Sequence, residues 1–222
     1  MQLCKRLVIS NNGSSYGGGI YSSGSTSTLT ITNSTVLGNT ASSTRYTYGG
    51  GIFSSGNIIS IITNSIISEN TASSSSSSSI STTCGGGIYS SGNITSTIKN
   101  STIQENADYS SSSACETFGG GLYSAGTSVS DCIISGNTAS RYGGGSIYSY
   151  GGGIYSSSGV VSNCMIFENS VIDNNNSSYG GGFAGNNSTV TNCTISGNSA
   201  NYGGGIASSG VILFPLENSV HI

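Results

Sequence analysis

Residues that could support catalysis are few and scattered along this chain. The eight carboxylates are Glu69, Glu105, Asp108, Glu116, Asp131, Glu168, Asp173 and Glu217, and the single histidine is His221. Polysaccharide-cleaving enzymes need clustered carboxylates, often with a basic residue or calcium. Glu69 and Glu105 occupy the same position of an internal repeat, but Gly takes that position in other copies. We therefore predict that the protein has no catalytic residues and is not an enzyme.

The six cysteines do not form a metal-binding pattern, because no C-x-x-C pair is present. We therefore predict no metal and no cofactor. Cys132, Cys164 and Cys193 share one position of the repeat, where earlier copies carry Ser. They are predicted to be small buried side chains. Cys84 and Cys115 precede successive glycine triplets, and we consider a loop disulfide between them.

Composition excludes several classes of partner. The five Lys and Arg residues are scattered, the net charge is −3, and charged residues make up 6% of the chain. Nucleic acids and anionic membranes need clustered positive charge, so both are excluded as partners. No apolar run reaches the roughly 20 residues of a membrane span, and no signal peptide is visible. Abundant Ser, Thr, Asn and Gly nevertheless favour an extracellular or cell-surface location.

An internal repeat organises the chain. The triplet GGG recurs, beginning at Gly17, Gly49, Gly85, Gly119, Gly151, Gly180 and Gly203. A second landmark is a column of asparagines, Asn39, Asn70, Asn106, Asn137, Asn169 and Asn198. Six residues before them stand Asn33, Asn64, Asn100, Asp131, Asn163 and Asn192. This constant offset predicts a rigid segment, while loops elsewhere absorb the variation in repeat length.

Three apolar columns align between the copies. They are Ile31, Ile62, Ile98, Val129, Val161, Val190; Val36, Ile67, Ile103, Ile134, Ile166, Ile195; and Ile20, Ile52, Ile88, Leu122, Ile154, Phe183, Ile206. Apolar and polar residues alternate around them, which is the period of β-strands, with about three short strands per repeat. Columns of this kind favour stacked coils over hairpins. We predict an all-β fold, a single-stranded right-handed parallel β-helix of about seven coils that forms one domain over residues 1–222.

The asparagines and glycines are predicted to be structural. The column from Asn39 to Asn198 is expected to form a hydrogen-bonded ladder between coils. The GGG triplets precede strands rather than helices, so they are predicted to be tight corners with positive φ rather than phosphate loops. Five asparagines stand in N-x-[ST] sequons: Asn33, Asn93, Asn100, Asn187 and Asn192. We expect those in the columns to be buried, and Asn93 and Asn187 to be the better candidates for glycosylation.

Aromatic residues form two rows beside the triplets. One row follows the inward Ile and comprises Tyr21, Phe53, Tyr89, Tyr123 and Tyr155, before Ala184 and Ala207. The other precedes GGG and comprises Tyr16, Tyr48, Phe118, Tyr150, Tyr179 and Tyr202, with Cys84 interrupting it. Alternation points the first row outward. Stacked rings stabilise a sheet, and an exposed apolar strip is typical of an interface, so structural stacking and recognition of sugars or proteins both stay open.

The segments "GGGIYSSG" and "NSTVLGNTAS" resemble the repeats of chlamydial polymorphic outer-membrane proteins and of bacterial adhesin-like β-helix proteins. The resemblance covers nearly the whole chain. The chain departs from the family motif where it carries Ile, Val or Met in place of Phe. The resemblance implies a β-helix and a cell-surface passenger.

These observations predict a non-catalytic extracellular or cell-surface β-helix, structural or adhesive, whose partners are surface glycans, surface proteins or further copies of itself. The segment 6–12 aligns with 33–39, and 218–222 aligns with 33–37, so the chain begins and ends within the same part of the repeat. This predicts either an excerpt of a longer β-helix or a fibre subunit that stacks end to end. Two further alternatives are an ice-binding protein, from the ragged row of Thr30, Thr97 and Thr189, and a carbohydrate-binding or polysaccharide-active β-helix.

Overall fold

The computed structural model describes residues 3–5, 8–11, 13–25, 27–76, 80–92, 95–112, 114–143 and 148–209, with the backbone alone for 3–5, 8–11 and 80. The described residues form strands and turns, and strands of successive coils pair in parallel. The predicted all-β parallel solenoid is confirmed, while its right-handed sense stays a prediction. His221, Glu217, the segment 218–222 and the sequon at Asn93 lie outside the described residues.

Five parallel sheets, A to E in chain order, run along the solenoid. Sheet A comprises Leu3–Lys5, Thr35–Leu37, Ile66–Ser68, Thr102–Gln104, Ile133–Ser135, Met165–Phe167 and Thr194–Ser196. Sheet B comprises Val8–Asn11, Thr40–Ser43, Thr71–Ser74, Ala107–Ser110, Thr138–Arg141 and Ser170–Asp173. Sheet C comprises Ser14–Tyr16, Tyr46–Tyr48, Ile80–Cys84, Ala114–Phe118, Ser149–Tyr150 and Ser178–Tyr179.

Sheets D and E complete each coil. Sheet D comprises Ile20–Gly24, Ile52–Gly56, Ile88–Ser91, Leu122–Ala125, Ile154–Ser157, Phe183–Asn186 and Ile206–Ser208. Sheet E comprises Thr28–Thr32, Ile59–Thr63, Thr95–Lys99, Thr127–Ser130, Val160–Ser162 and Thr189–Thr191. Each sheet therefore contains six or seven strands, one from each coil that reaches it.

A complete coil has five strands, so the expectation of about three per repeat was wrong. The strands that the sequence did not reveal are those of sheets B and C, for example Thr40–Ser43 and Tyr46–Tyr48. Most of their inward positions carry Ala, Ser or Thr, and Val171 is a lone large aliphatic residue among those that the structure describes as buried there. Hydrophobic alternation is the signal that reveals a strand in a sequence, and small or polar inward residues do not produce it.

The three predicted apolar columns form the core between sheets A, D and E. Ile52, Ile67 and Ile134 are each 0% exposed, and the columns make one continuous apolar cluster. Burial of a side chain such as Ile contributes roughly 1.5–3 kcal/mol. This core is therefore the main apolar contribution to the stability of the coil stack.

Sheets B and C enclose a second interior that is polar. Its hydroxyl groups bond to one another across the two sheets, as between Ser43 Oγ and Thr47 Oγ1 at 2.9 Å and between Ser74 Oγ and Ser81 Oγ at 3.0 Å. They also bond between coils, as between Ser74 Oγ and Ser110 Oγ at 2.9 Å. Most buried hydroxyls of this interior are paired in this way, which offsets the cost of removing them from water.

The register at the beginning of the chain differs from the predicted alignment. Segment 6–12 was aligned with 33–39, which placed Ile9 in the Val36 column. The backbone instead pairs Cys4 with Val36 and Ile9 with Ala41. The alignment matched similar residue types within a short segment at the start of the chain. The backbone pairing instead places Leu3–Lys5 beside Thr35–Leu37, and Val8–Asn11 beside Thr40–Ser43.

Candidate recognition surface

The two aromatic rows flank the glycine corner between sheets C and D. The second row ends the strands of sheet C, and the first row occupies the second position of the strands of sheet D. The pairing is in register, as for Tyr16 with Tyr48 and for Tyr21 with Phe53. We call the two rows together the aromatic double ladder; its members are Tyr21, Phe53, Tyr89, Tyr123, Tyr155, Tyr16, Tyr48, Phe118, Tyr150, Tyr179 and Tyr202.

Rings of the first row stack almost parallel. The Tyr21 and Phe53 centroids are 5.1 Å apart with an interplanar angle of 4°, and those of Phe53 and Tyr89 are 5.1 Å apart at 2°. Tyr89 stacks on Tyr123 at 4.8 Å, and Tyr123 on Tyr155 at 5.4 Å. These separations lie in the range of favourable aromatic pairs, each worth about 0.5–1.5 kcal/mol beyond the area it buries.

The second row stacks on both sides of a gap at Cys84. Phe118 and Tyr150 are 5.3 Å apart at 7°, whereas Cys84 separates Tyr48 from Phe118 in the pairing. The rows also contact each other edge to face, as for Phe118 and Tyr155 at 4.9 Å and 64°. The two rows are thus a single interlocked surface rather than two independent stacks.

The rings of the first row leave the coil outward, but their neighbours cover them to different degrees. Tyr21 is 58% exposed, whereas Phe53 is 7% exposed because rings of both rows surround it. Burial, and then the neighbouring Tyr179 and Glu116, raise the pKa of Tyr150 to about 12. Burial likewise raises the pKa of Tyr89 and of Tyr155. These hydroxyls remain protonated at neutral pH and can donate hydrogen bonds.

A cleft of about 440 Å³ opens where the first row ends. In the two coils after Tyr155, the ring position is taken by Ala184 and Ala207. The residues lining the cleft are Glu116, Phe118, Tyr150, Tyr155, Tyr179, Ala184, Gly185, Asn186, Ala207, Ser208 and Ser209. The cleft therefore joins aromatic rings to amide, hydroxyl and carboxylate groups.

The asparagine column forms a continuous hydrogen-bonded ladder. Asn39 Nδ2 donates to Asn70 Oδ1 at 2.9 Å, Asn70 Nδ2 to Asn106 Oδ1 at 3.0 Å, and the pattern continues through Asn137 and Asn169 to Asn198. Each Oδ1 also accepts the backbone N–H of the preceding member, as for Asn39 N at 3.0 Å. The first five members are 0–1% exposed. The ladder is internal, so it is not part of a binding surface.

The GGG triplet fits against this ladder. In the triplet 49–51 the first glycine has φ +66°, as the corner prediction requires. A Cβ on Gly50 would overlap the Thr71 carbonyl carbon, and a Cβ on Gly51 would lie 2.8 Å from Asn70 Cγ. Positive φ therefore explains one glycine, and close approach to the next coil explains the other two.

The column that precedes the ladder by six residues is exposed, contrary to expectation. Asn33, Asn100 and Asn192 have φ between 48° and 51°, in the left-handed region that Asn tolerates. Their side chains project into solvent at the corner between sheets E and A. The prediction that these sequons are buried was therefore wrong, and Asn187 is exposed as well.

The cysteines are free thiols where their side chains are described. Cys132 Sγ donates to the Ser130 carbonyl at 3.0 Å, just as Ser65 Oγ donates to the Thr63 carbonyl at 2.7 Å in an earlier coil. The Cys column thus replaces Ser with the same hydrogen bond. Cys132 is 2% exposed and Cys164 is 1% exposed, in line with the prediction of small buried side chains, whereas Cys193 in the last of these coils is only partly buried.

The structure contradicts a disulfide between Cys84 and Cys115. Cys84 pairs with Phe118, and Cys115 pairs with Ser81, so the two cysteines are three positions apart in register. At a rise of about 3.3 Å per residue and a strand spacing of about 4.8 Å, their Cα atoms are about 11 Å apart. A disulfide requires a Cα separation below about 7 Å.

Sequence reasoning missed a set of buried charges in the polar interior. The Arg141 guanidinium contacts Asp173 at 3.2 Å, and both side chains are 0% exposed. Asp108, also 0% exposed, accepts the Phe118 backbone N–H at 3.0 Å, and burial raises its pKa well above the usual range. The register of the strands could have revealed these residues. Asp108 pairs with Ala72 and Ala139 in the neighbouring coils, and Arg141 pairs with Ser110 and Asp173.

Within the described residues, no group of three or more His, Cys, Asp or Glu side chains could hold a metal ion. No helix in the described part of the chain has the length and apolar character needed to cross a membrane. Glu69, Glu105 and Glu168 share one corner position with φ of 54–56°, where the other described coils have glycine.

Comparison with protein families adds one finding. Residues 6–23 match the model of the Chlamydia polymorphic membrane protein repeat. Neither the curated proteins nor the solved structures give a significant match. The matched segment contains the first triplet and the strands on both sides of it, which is the corner that carries the double ladder. The chain is a β-helix repeat protein similar to the polymorphic membrane protein repeats of Chlamydia.

Proposed function

We propose that the protein is a non-catalytic, surface-associated β-helix that adheres to surface glycans or proteins through the aromatic double ladder. The observation that carries this proposal is the row of interlocked rings along one corner of the solenoid, in a chain that is otherwise rich in Ser, Thr, Asn and Gly. Contiguous apolar strips on polar proteins are typical of interaction sites. The matched repeat is named for a membrane protein, which supports a surface location.

The double ladder is suited to recognition because it is preorganised. Each ring is held by stacked neighbours at 4.8–5.5 Å, so little side-chain entropy remains to be lost on binding. Ring faces inside a row are covered by their neighbours, so a partner meets ring edges and protonated Tyr hydroxyls. Amphipathic rings of this kind supply contact area and hydrogen bonds together, as they do in antibody binding sites.

Screening the purified chain on an array of glycans and surface proteins, followed by affinity measurements on each hit, tests the proposal. The double variant Tyr89→Ala, Tyr123→Ala should weaken binding more than tenfold, since loss of an aromatic hot-spot residue costs about 2 kcal/mol or more. The matched control is Ile66→Ala, Ile133→Ala, which removes two exposed apolar side chains from sheet A. Circular dichroism verifies that both variants are folded. Unchanged affinity of the tyrosine variant, or an equal loss in the control, would refute the proposal.

A further inference from the structure

The first aromatic row ends on an uncovered ring. Tyr155 stacks on Tyr123 through one face at 5.4 Å. Its in-register neighbour in the next coil is Ala184, and Ala207 follows in the coil after that. The other face of Tyr155 therefore borders the cleft, at the place where earlier coils carry the next ring of the stack.

Rings of the second row form a wall of the same cleft. Tyr150 lies 5.9 Å from Tyr155 with an interplanar angle of 58°, and Tyr179 continues the wall at 5.4 Å from Tyr150. The cleft thus offers one flat ring as a platform and further rings set at a steep angle to it. A flat molecule seated on Tyr155 would extend the existing stack by one unit.

The remaining lining groups are polar, and one of them is charged. Asn186 Oδ1 accepts the Ser209 hydroxyl at 2.7 Å, which orients the amide with its two N–H donors available to other acceptors. Glu116 is the charged residue among the lining residues, and no Lys or Arg in the described part of the chain lines the cleft. A negatively charged ligand would meet no counter-ion among these described residues, so the lining favours a neutral polyhydroxylated molecule.

We propose that the cleft binds a single neutral pyranose ring of a glycan, stacked on Tyr155 in the space above Ala184. The C–H face of the sugar covers the ring of Tyr155, and its hydroxyl groups bond to Asn186 and Glu116. A volume of about 440 Å³ lies within the usual range of small-molecule sites. This site deepens the proposed adhesive function by naming a ligand class and a place for it, and it rests on that proposal only for its biological setting.

Saturation-transfer NMR and calorimetry with methyl glycosides of glucose, galactose, mannose and N-acetylglucosamine test the site. Ala184→Tyr is the central variant, because Tyr or Phe stands at this position in five other coils and its ring would occupy the cleft. We expect binding to fall more than tenfold. Ala207→Tyr fills the cleft from the next coil and serves if the first variant does not fold. Asn186→Ala should weaken binding about tenfold, as expected for a lost hydrogen bond of 1.4 kcal/mol.

One control variant separates this site from the double ladder as a whole. Tyr21→Ala removes an exposed ring of the ladder at the end far from the cleft, so it should leave the binding of a single methyl glycoside at the cleft within twofold, even where it weakens adhesion of a larger partner along the ladder. Glu116→Gln keeps an acceptor but removes the charge-assisted hydrogen bond to the sugar, so it should weaken glycoside binding several-fold and still leave it measurable. Tetramethylammonium chloride is the cationic probe, since aromatic rings beside a carboxylate also attract cations.

The outcomes are distinct. Saturable glycoside binding that Ala184→Tyr abolishes and Tyr21→Ala preserves supports the site. Glycoside binding that persists in Ala184→Tyr but is lost in Tyr89→Ala, Tyr123→Ala overturns the site and leaves the adhesive ladder standing. Binding of tetramethylammonium in place of glycosides, lost in Glu116→Gln, overturns the sugar assignment. Absence of binding by every glycoside of the panel also overturns it.

Discussion

Replacing Asn106 with Ala in the middle of the asparagine ladder should strongly destabilise the protein. Asn106 Oδ1 accepts the backbone N–H and the side-chain Nδ2 of Asn70, both at 3.0 Å. Its Nδ2 donates to Asn137 Oδ1 and to the Ile67 carbonyl, both at 3.0 Å. The residue is 1% exposed, so water cannot replace these partners. Four bonds at about 1 kcal/mol each give an expected loss of about 4 kcal/mol in the free energy of unfolding.

Urea denaturation followed by far-ultraviolet circular dichroism measures this loss. The matched control is Asn198→Ala at the last rung. Asn198 Oδ1 accepts two bonds from Asn169, and its Nδ2 donates to the Ile166 carbonyl at 2.9 Å, but the residue is partly exposed. Water can replace part of these bonds, and we expect a loss of about 1–2 kcal/mol.

The comparison between the two variants decides the argument. A loss below 1 kcal/mol for Asn106→Ala would show that the asparagine ladder contributes little to holding the coils together. Equal losses at the two rungs would show that burial of the ladder does not determine its contribution. Either result would contradict the link between the burial of each ladder asparagine and its contribution to the free energy of unfolding.

Three further predictions concern residues in unusual environments. Glu105 has φ 54° at a corner where several other coils carry glycine. Because a left-handed φ is unfavourable for Glu, Glu105→Gly should raise the free energy of unfolding, measured by urea titration, by about 1 kcal/mol. An unchanged free energy of unfolding would show that this corner is not strained. Arg141→Ser should lower the free energy of unfolding by about 3–5 kcal/mol, because the Asp173 carboxylate stays buried without its partner. The double variant Arg141→Ser, Asp173→Ser should recover most of this loss, which thermal melting measures. A double variant as unstable as Arg141→Ser would contradict this reasoning. Burial raises the pKa of Asp108, so the folded protein holds a proton that the unfolded chain releases near pH 4. Stability should therefore fall as pH rises above about 4, and Asp108→Asn should flatten that dependence in denaturation curves from pH 4 to 7; an unchanged slope would assign it to other groups.

The apolar half of the fold was predictable from the sequence because its signal is local. Ile62, Ile67 and Ile88 recur at fixed distances from the landmarks, and large β-branched residues at inward positions are the standard mark of a strand. Sheets B and C gave no such mark. Their inward positions carry residues such as Ala72 and Ser74, whose burial depends on hydroxyl pairing between neighbouring strands. That pairing is visible only when the coils are superposed in three dimensions.

The sequence predicted the two aromatic rows of the candidate site, but not the contacts between the rows or the cleft beside them. Counting from the triplets placed Tyr89 and Tyr123 in one column, and the structure stacks them at 4.8 Å. The interlocking of the two rows depends on the angle of the glycine corner, which spacing does not encode. The cleft depends on a substitution in the last coils, Ala184 after Tyr155, which reads in the sequence as a mere end of the row. The mistaken pairing of Cys84 with Cys115 has the same origin, because proximity to a triplet does not define register.

The GGG triplets and the asparagine ladder contact each other. This contact explains why the aromatic rows stay aligned although the loops between coils differ in length. The third glycine of each of the first six triplets leaves no room for a Cβ against the ladder asparagine that follows it in the chain, as Gly51 does against Asn70 and Gly87 against Asn106. Each of these asparagines is bonded to its counterpart in a neighbouring coil, so the ladder, rather than the connecting loop, fixes the position of these triplets. The rings flanking the triplet inherit this register. Insertions between the landmarks therefore change the outline of a coil while the rings beside the corner stay about 5 Å apart. The buried asparagine ladder thereby keeps the rings of the aromatic double ladder aligned. Weakening the asparagine ladder should therefore disorder the aromatic surface before the apolar core unfolds.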